Sequence, residues 1–240
     1  MTRVLVNEHD ATCPPALFGT WLEDAGCEVV VSRPYADQQS AGEALPALTA
    51  YDALLVLGGP MAATDPHPWL APLRDLVREA AAAGLPTLGI CLGHQICAVA
   101  FGGTVEPNPR GQQLGLLDIG WTPAAGGDAL LGPVSTPRRA VQWNDDLVTR
   151  LPDDAVALAV TPHGEAQAAR FAPKVWGVQW HPEVDRGVLG VWAHDDEERH
   201  VAAGIDQEQV LVEIDAARDE LEKAWRPLAE GLATIAGSRR

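Results

Sequence analysis

The sequence predicts an α/β fold: a doubly wound, mostly parallel sheet with an antiparallel ribbon and a C-terminal helix. Three observations predict it. Short, nearly continuous apolar runs alternate with helical stretches over roughly the first hundred residues. From about residue 103 the runs become short strands separated by Pro, Gly and Asp turns, as in an antiparallel meander. A closing stretch, about 206–235, repeats apolar residues at helical spacing.

Taken in order, "RVLVN" (3–7) reads as a strand, followed by a helix carrying Leu17, Trp21 and Leu22. "CEVVVSR" (27–33) and "DALLVLGG" (52–59) are strands apolar along their length, as expected when helices cover both sheet faces. "WLAPLRDLVREAAAAG" (69–84) is helical and stops at Gly84, a frequent C-terminal cap residue. "LPTLGI" (85–90) is a buried strand running straight into Cys91, and "HQICAVAFGG" continues as a helix ending at Gly102 and Gly103. The meander comprises "GTVEP", "LGLLDIGWT", "RRAVQWN", "AVALAVT", "AQAARF" and "VWGVQW". In the last helix Val210, Ile214, Ala217, Leu221, Ala224, Leu228, Leu232 and Ile235 form one stripe. Packing of that stripe onto the parent domain is the expectation, with a homodimer interface as the alternative.

Composition narrows the function classes. The chain has 240 residues, enough for one large α/β domain without disulfide or metal staples. Its formal net charge of -16, with only 17 Lys plus Arg, argues against a nucleic-acid partner. No run approaches the length of a membrane span, and "MTRVLVNEHD" has charges where a signal peptide needs an apolar core. A cytoplasmic protein is expected. Cys13, Cys27, Cys91 and Cys97 suit that compartment as reduced thiols, and none forms a ligand cluster for a structural zinc. No metal or cofactor is expected.

"GICLGHQ" (89–95) sets a cysteine on a strand-to-helix bend flanked by Gly89 and Gly93. Such a bend lifts a side chain clear of the sheet and places it over a helix N-terminus, whose N–H groups and dipole favour anions. The tight backbone tolerates only small residues two positions either side. A thiol nucleophile needs a base, and the base needs an orienter. "VWGVQWHPEV" (175–184) supplies both: His181 and Glu183 lie two apart on an extended chain and face the same side. His94 reads as structural packing, while His9, His67, His163, His194 and His200 have no evident partner. "LVLGGPMAA" (55–63) adds Gly58 and Gly59 at a strand end, where an N–H can point outward. The N–H groups of Gly59 and Leu92 are expected to converge on one oxygen at the C-terminal edge of the sheet.

"LGGP" (57–60), "GICLGHQ" (89–95) and "GVQWHPEV" (177–184), in that order, make the chain resemble the class I, triad-type glutamine amidotransferases, including the glutaminase domain of GMP synthetase. The resemblance implies a flavodoxin-like domain over 1–192 and a helical extension over 193–240 packed on the same domain. It implies Cys91 as nucleophile, His181 as acid–base and Glu183 as orienter. Gly59 and Leu92 would form the oxyanion hole, with Gly58, Gln95 and Trp143 as substrate-binding residues. The implied reaction is hydrolysis of the glutamine side-chain amide through a γ-glutamyl thioester, releasing ammonia for an acceptor or a separate synthetase subunit. The pattern departs at "WNDD" (143–146), with Asn144 at a histidine position, and at "GQQLG" (111–115), with Gln113 where glutamate is usual.

Those departures bear on the donor, so a γ-glutamyl hydrolase acting on a γ-glutamyl amine or peptide is a second reading. A dienelactone-hydrolase-type enzyme, with Asp153 or Asp154 orienting the histidine, is a third. A catalytically silent regulatory subunit is the non-enzymatic alternative.

Overall fold

The computed structural model describes residues 1–35 and 45–238, and every structural statement below concerns those residues. In chain order the strands are β1 (Thr2–Asn7), β2 (Cys27–Ser32), β3 (Ala53–Val56), β4 (Thr87–Ile90), β5 (Thr104–Pro107), β6 (Gln113–Asp118), β7 (Arg139–Asn144), β8 (Asp146–Arg150), β9 (Val156–Val160), β10 (Ala166–Ala172) and β11 (Val175–Val178). The helices are α1 (Ala16–Asp24), α2 (Leu70–Ala82), α3 (Leu92–Ala100), α4 (Arg186–Asp195), α5 (Glu197–Ala202), α6 (Gln207–Ala216) and α7 (Arg218–Gly237).

The main sheet runs β2-β1-β3-β4-β11-β10-β8-β5, with β9 paired to β10 off that path. Pairings from β2 through β11 are parallel and those beyond are antiparallel. Strand alternation divides the core in two. Val4, Val6 and Leu55 join one cluster with Phe18 and Trp21 of α1 and Trp225, Leu228 and Leu232 of α7. Leu5, Leu54 and Val56 face the other way, onto Leu73 and Val77 of α2 and Ile96 of α3. Every residue of β3 and β4 is buried, which explains why their sequences are apolar but for Thr87, whose hydroxyl donates to Leu85 O.

Three expectations change. The last strand of the predicted meander, "VWGV", is instead β11, parallel to β4 in the centre of the sheet, with Gly177 opposite Gly89. Its four buried residues are what a position covered on both faces requires. The separate ribbon is only β6 with β7, because β5, β8, β9 and β10 extend the main sheet. β8 itself, starting at Asp146, carries little strand signal because two acidic residues lead into it.

The predicted single helix over 206–235 is two helices, α6 and α7, broken at Ala217 (φ -92°, ψ 6°). The two ends of the stripe bury against different partners. Ile214 packs with Cys13, Val141, Trp143 and Trp192 in a third cluster beneath the ribbon. Leu228 and Leu232 pack against the main sheet. A straight helix could not reach both. No helix is long and apolar enough to cross a membrane among the described residues.

Candidate active site

Gly58, Cys91 and His181 follow directly from β3, β4 and β11, three neighbouring parallel strands, and so gather at one C-terminal sheet edge. The β4–α3 bend is sharp. Cys91 has φ 50° and ψ -106°, a conformation rare for a residue with a side chain, and strain of this kind costs on the order of 1–3 kcal/mol. The surroundings hold it there. The Cys91 N–H donates to Val178 O at 2.8 Å, and the Cys91 carbonyl accepts from Gln95 N at 3.1 Å. A methyl group at Gly89 would lie 2.3 Å from Gly93 O, and one at Gly93 would lie 2.0 Å from Val56 O. Glycine is therefore obligatory at both places.

His181 Nδ1 lies 2.7 Å from Glu183 Oε1, and both side chains are buried. The Glu183 carboxylate can only accept when ionised, so Nδ1 carries the proton. His181 Nε2 and Glu183 Oε2 have no partner among the described residues. Burial alone would lower the imidazole pKa, but its neighbours Cys91 and Glu183 together push it up to about 10. The folded site thus makes His181 a strong proton acceptor. The Trp192 ring stands edge-on to His181 at 4.7 Å.

Cys91 and His181 line one cavity of about 580 Å³ together with Gly59, Gln95, Trp143 and Trp192. Its rim is acidic, with Asp10, Asp145, Asp146, Asp195 and Asp196 around one guanidinium, Arg199. Arg199 is held by Asp145 (Nη1 to Oδ2, 2.8 Å). Burial first, then Asp145 and Asp65, raise the Asp146 carboxyl pKa. Cys13 also faces the cavity, but burial pushes its thiol up to about 12, as it does that of Cys97. Those two stay protonated and unreactive at neutral pH. No group of three or more His, Cys, Asp or Glu is placed to hold a metal among the described residues.

The sequence-predicted residues fall into this frame as follows. A methyl at Gly58 would lie 3.2 Å from His181 Cε1 and 3.8 Å from Cys91 Cβ, so the bare backbone makes room for the imidazole. Gly59 abuts Leu92, since a methyl there would be 2.9 Å from Leu92 Cδ2. No hydrogen bond uses the N–H of either residue among the described residues. Gln95 Nε2 donates to Asp146 O at 3.1 Å and to Gln179 Oε1 at 3.3 Å. Trp143 Nε1 donates to Asp196 Oδ2 at 2.8 Å, fixing the indole in the cavity wall. Asp153 and Asp154 lie in the β8–β9 turn, away from the cavity, and Glu183 already holds His181. That removes the dienelactone-hydrolase arrangement.

Several residues of the site escape sequence reasoning. Gln179 Nε2 donates to Cys91 Sγ at 3.5 Å; its one signal is the period-two spacing it shares with His181 and Glu183. His9, without a partner evident from sequence, is fully buried at the end of β1, with Nδ1 3.1 Å from Leu57 O and 3.3 Å from Gly58 O. His200 is likewise buried, bonded to Gln112 (2.9 Å) and to Gln207, with Trp143 5.6 Å away. Nothing local in the sequence announces contacts over such separations.

The sequence model of the glutamine amidotransferase class-I family matches residues 20–192. A glutamine-hydrolyzing GMP synthase subunit from Methanosarcina barkeri is 40% identical over 121 residues, covering 48% of this chain and 58% of that protein. A gamma-glutamyl peptidase 5 from Arabidopsis thaliana is 27% identical over 144 residues, covering 59% of this chain and 57% of that protein. The matches thus span less than two thirds of these curated relatives. A crystal structure of a glutamine amidotransferase from Thermotoga maritima shares the fold with a TM-score of 0.84, at 22% identity over 97% of this chain and 98% of that one.

Proposed function

The chain belongs to the class I glutamine amidotransferases, and on that premise we propose that Cys91, His181 and Glu183 hydrolyse the side-chain amide of glutamine. The observation that carries the reading is the Glu183–His181 hydrogen bond of 2.7 Å, which leaves Nε2 bare in the cavity that also holds Cys91.

His181 Nε2 takes the thiol proton, and the sulfur attacks the amide carbon. The tetrahedral oxyanion accepts hydrogen bonds from the Gly59 and Leu92 N–H groups, with α3 adding its positive N-terminal end. Collapse breaks the C–N bond as the imidazolium gives its proton to nitrogen, releasing ammonia and leaving a γ-glutamyl thioester. Water then attacks that carbonyl, Nε2 takes its proton, and glutamate leaves as the thiol re-forms. Glu183 keeps the imidazole in the required tautomer throughout. Gly58, Gln95 and Trp143 shape the pocket around the glutamyl chain. Ammonia passes to a separate synthetase subunit in the cytoplasm, a role in keeping with the Methanosarcina relative, itself one subunit of a GMP synthase.

A second reading is a γ-glutamyl hydrolase with the same triad and an amine or peptide as leaving group. It is favoured by the uncharged Asn144 of the cavity wall and its partner Gln113, where the family pattern has His and Glu, and by the resemblance to a gamma-glutamyl peptidase.

Glutamate release from glutamine and from a panel of γ-glutamyl amines and peptides, by the intact chain and by Cys91→Ala, tests both. The first reading expects glutamine to be preferred and Cys91→Ala to be inert. Preference for a substituted amide moves the assignment to the second. Robust turnover by Cys91→Ala overturns both.

A further inference from the structure

His9 performs no step in the chemistry above, yet it is fully buried and touches the loop that carries Gly59. Both groups within reach of its Nδ1 are carbonyl oxygens, which only accept. Nδ1 therefore carries the ring proton and donates it to Leu57 O and Gly58 O, leaving Nε2 bare and without a partner among the described residues. The ring itself is fixed. It stacks on Trp69 at 5.1 Å with an interplanar angle of 1°, and His67 stacks on Trp69 as well, at 5.4 Å. The preceding residue, Glu8, is buried and held by Arg33 (2.7 Å) and Tyr35 (2.8 Å).

The Gly58 carbonyl and the Gly59 N–H belong to one peptide unit. No peptide bond is cis among the described residues, and in a planar trans unit the C=O and the following N–H point in opposite directions. A donor that draws the Gly58 oxygen toward His9 turns the Gly59 N–H away from His9, toward the cavity that Gly59 shares with Cys91. Two glycines in succession leave this loop with little resistance of its own to a peptide flip, because both residues reach φ/ψ values closed to others. Something outside the loop has to set the plane.

We propose that His9 is a positioning residue which, through its hydrogen bond to the Gly58 carbonyl, aims the Gly59 N–H at the oxyanion formed on Cys91. The inference rests on the reading of Gly59 as an oxyanion donor. It implies that the imidazole stays neutral throughout turnover. Burial, only partly opposed by its two carbonyl acceptors, lowers its pKa to about 4 and is consistent with that.

The test compares the intact chain with His9→Phe, which keeps a ring against Trp69 but has no donor, and with His9→Asn, whose amide nitrogen can take the place of Nδ1. Four quantities are read: kcat and KM on the γ-glutamyl substrate the enzyme turns over, the affinity of glutamate γ-semialdehyde, and the rate of Cys91 alkylation by iodoacetamide. The aldehyde forms a thiohemiacetal whose oxyanion needs the same donors; alkylation needs only the thiol. His9→Phe is expected to lose roughly 10²-fold in kcat with KM within about threefold. It should lose aldehyde affinity in parallel and keep the alkylation rate, and His9→Asn should recover most of both losses. Equal losses in alkylation, or an Asn variant no better than Phe, would assign His9 a merely structural role and overturn the proposal.

Should His9→Phe not fold, nitrogen-15 NMR of the wild-type histidines decides. A neutral His9 protonated on Nδ1 at pH 7 is expected, and a proton on Nε2 overturns the inference. If Cys91→Ala remains active, the underlying catalytic reading has failed; if it is inert while His9→Phe turns over normally, only the His9 assignment has failed.

Discussion

Asn144 donates its side-chain amide to Gln113 Oε1 at 3.1 Å across the β6–β7 pair, so the two positions that leave the family pattern touch one another. The substitution is a matched one: two neutral amides stand where the pattern has histidine and glutamate. Asn144 also donates to Asp146 O, the carbonyl that accepts from Gln95. Gln95 in turn meets Gln179, which reaches Cys91 Sγ. A line of hydrogen bonds, passing through the Asp146 backbone carbonyl, therefore joins the ribbon to Cys91.

Residues in one such network are energetically coupled, typically by about 0.5–3 kcal/mol. Asn144→His and Gln113→Glu should each lower kcat/KM when made alone, because each leaves the partner amide mismatched. The double variant should fall less than the product of the two single effects. Multiplicative effects in a double-mutant cycle would show the pair to be independent.

Glu183→Gln removes the charge that helps hold His181 as an imidazolium. Turnover should fall by roughly 10²–10⁴. A stability signature accompanies it. The His181 pKa is raised in the folded state, so its contribution is fully present below the unfolded value of 6.5 and is lost as pH rises toward about 10. Urea midpoints at pH 6.5, 8 and 10 should fall more steeply for wild type than for Glu183→Gln.

At the acid end the sign reverses. His94 is buried against Gly177 and Phe171, and burial lowers its pKa to about 4, as for His9. Between 6.5 and about 4 the unfolded chain binds protons that the folded chain refuses, so stability held in full above pH 6.5 drains away as pH falls. His94→Gln should flatten thermal midpoints measured at pH 7, 5.5 and 4, and an unchanged slope would place the acid sensitivity elsewhere.

Gly93→Ala must move Val56 O, 2.0 Å from the added carbon, and that oxygen belongs to a central strand. A loss above about 3 kcal/mol is expected from such overpacking joined to backbone displacement. Gly190→Ala is the matched control. That residue lies inside α4 with open space around it, so urea denaturation should show a gain of roughly 0.5–1 kcal/mol.

Much of this is readable in the sequence because the signals are local. The glycines around Cys91 and the period-two spacing of His181 and Glu183 are consequences of backbone geometry within a few residues. The order of β3, β4 and β11 is only half legible, since "VWGV" looks the same in a meander as in a buried central strand. The break at Ala217 leaves no mark, because alanine favours helix and only the divergence of the packing partners forces the bend. His9 and Trp69 stand sixty positions apart in sequence and His200 and Gln112 eighty-eight, and periodicity carries no information over such spans.

The family match ends at residue 192, whereas Asp195, Asp196 and Arg199 continue the cavity wall beyond it. Two regions of the chain thus meet around a single void, one inside the family match with Cys91, His181 and Glu183, the other beyond it. Substitutions in the second region alter the wall of that void without altering Cys91, His181 or Glu183 themselves. The clasp between Arg199 and Asp145 is where those two regions grip each other.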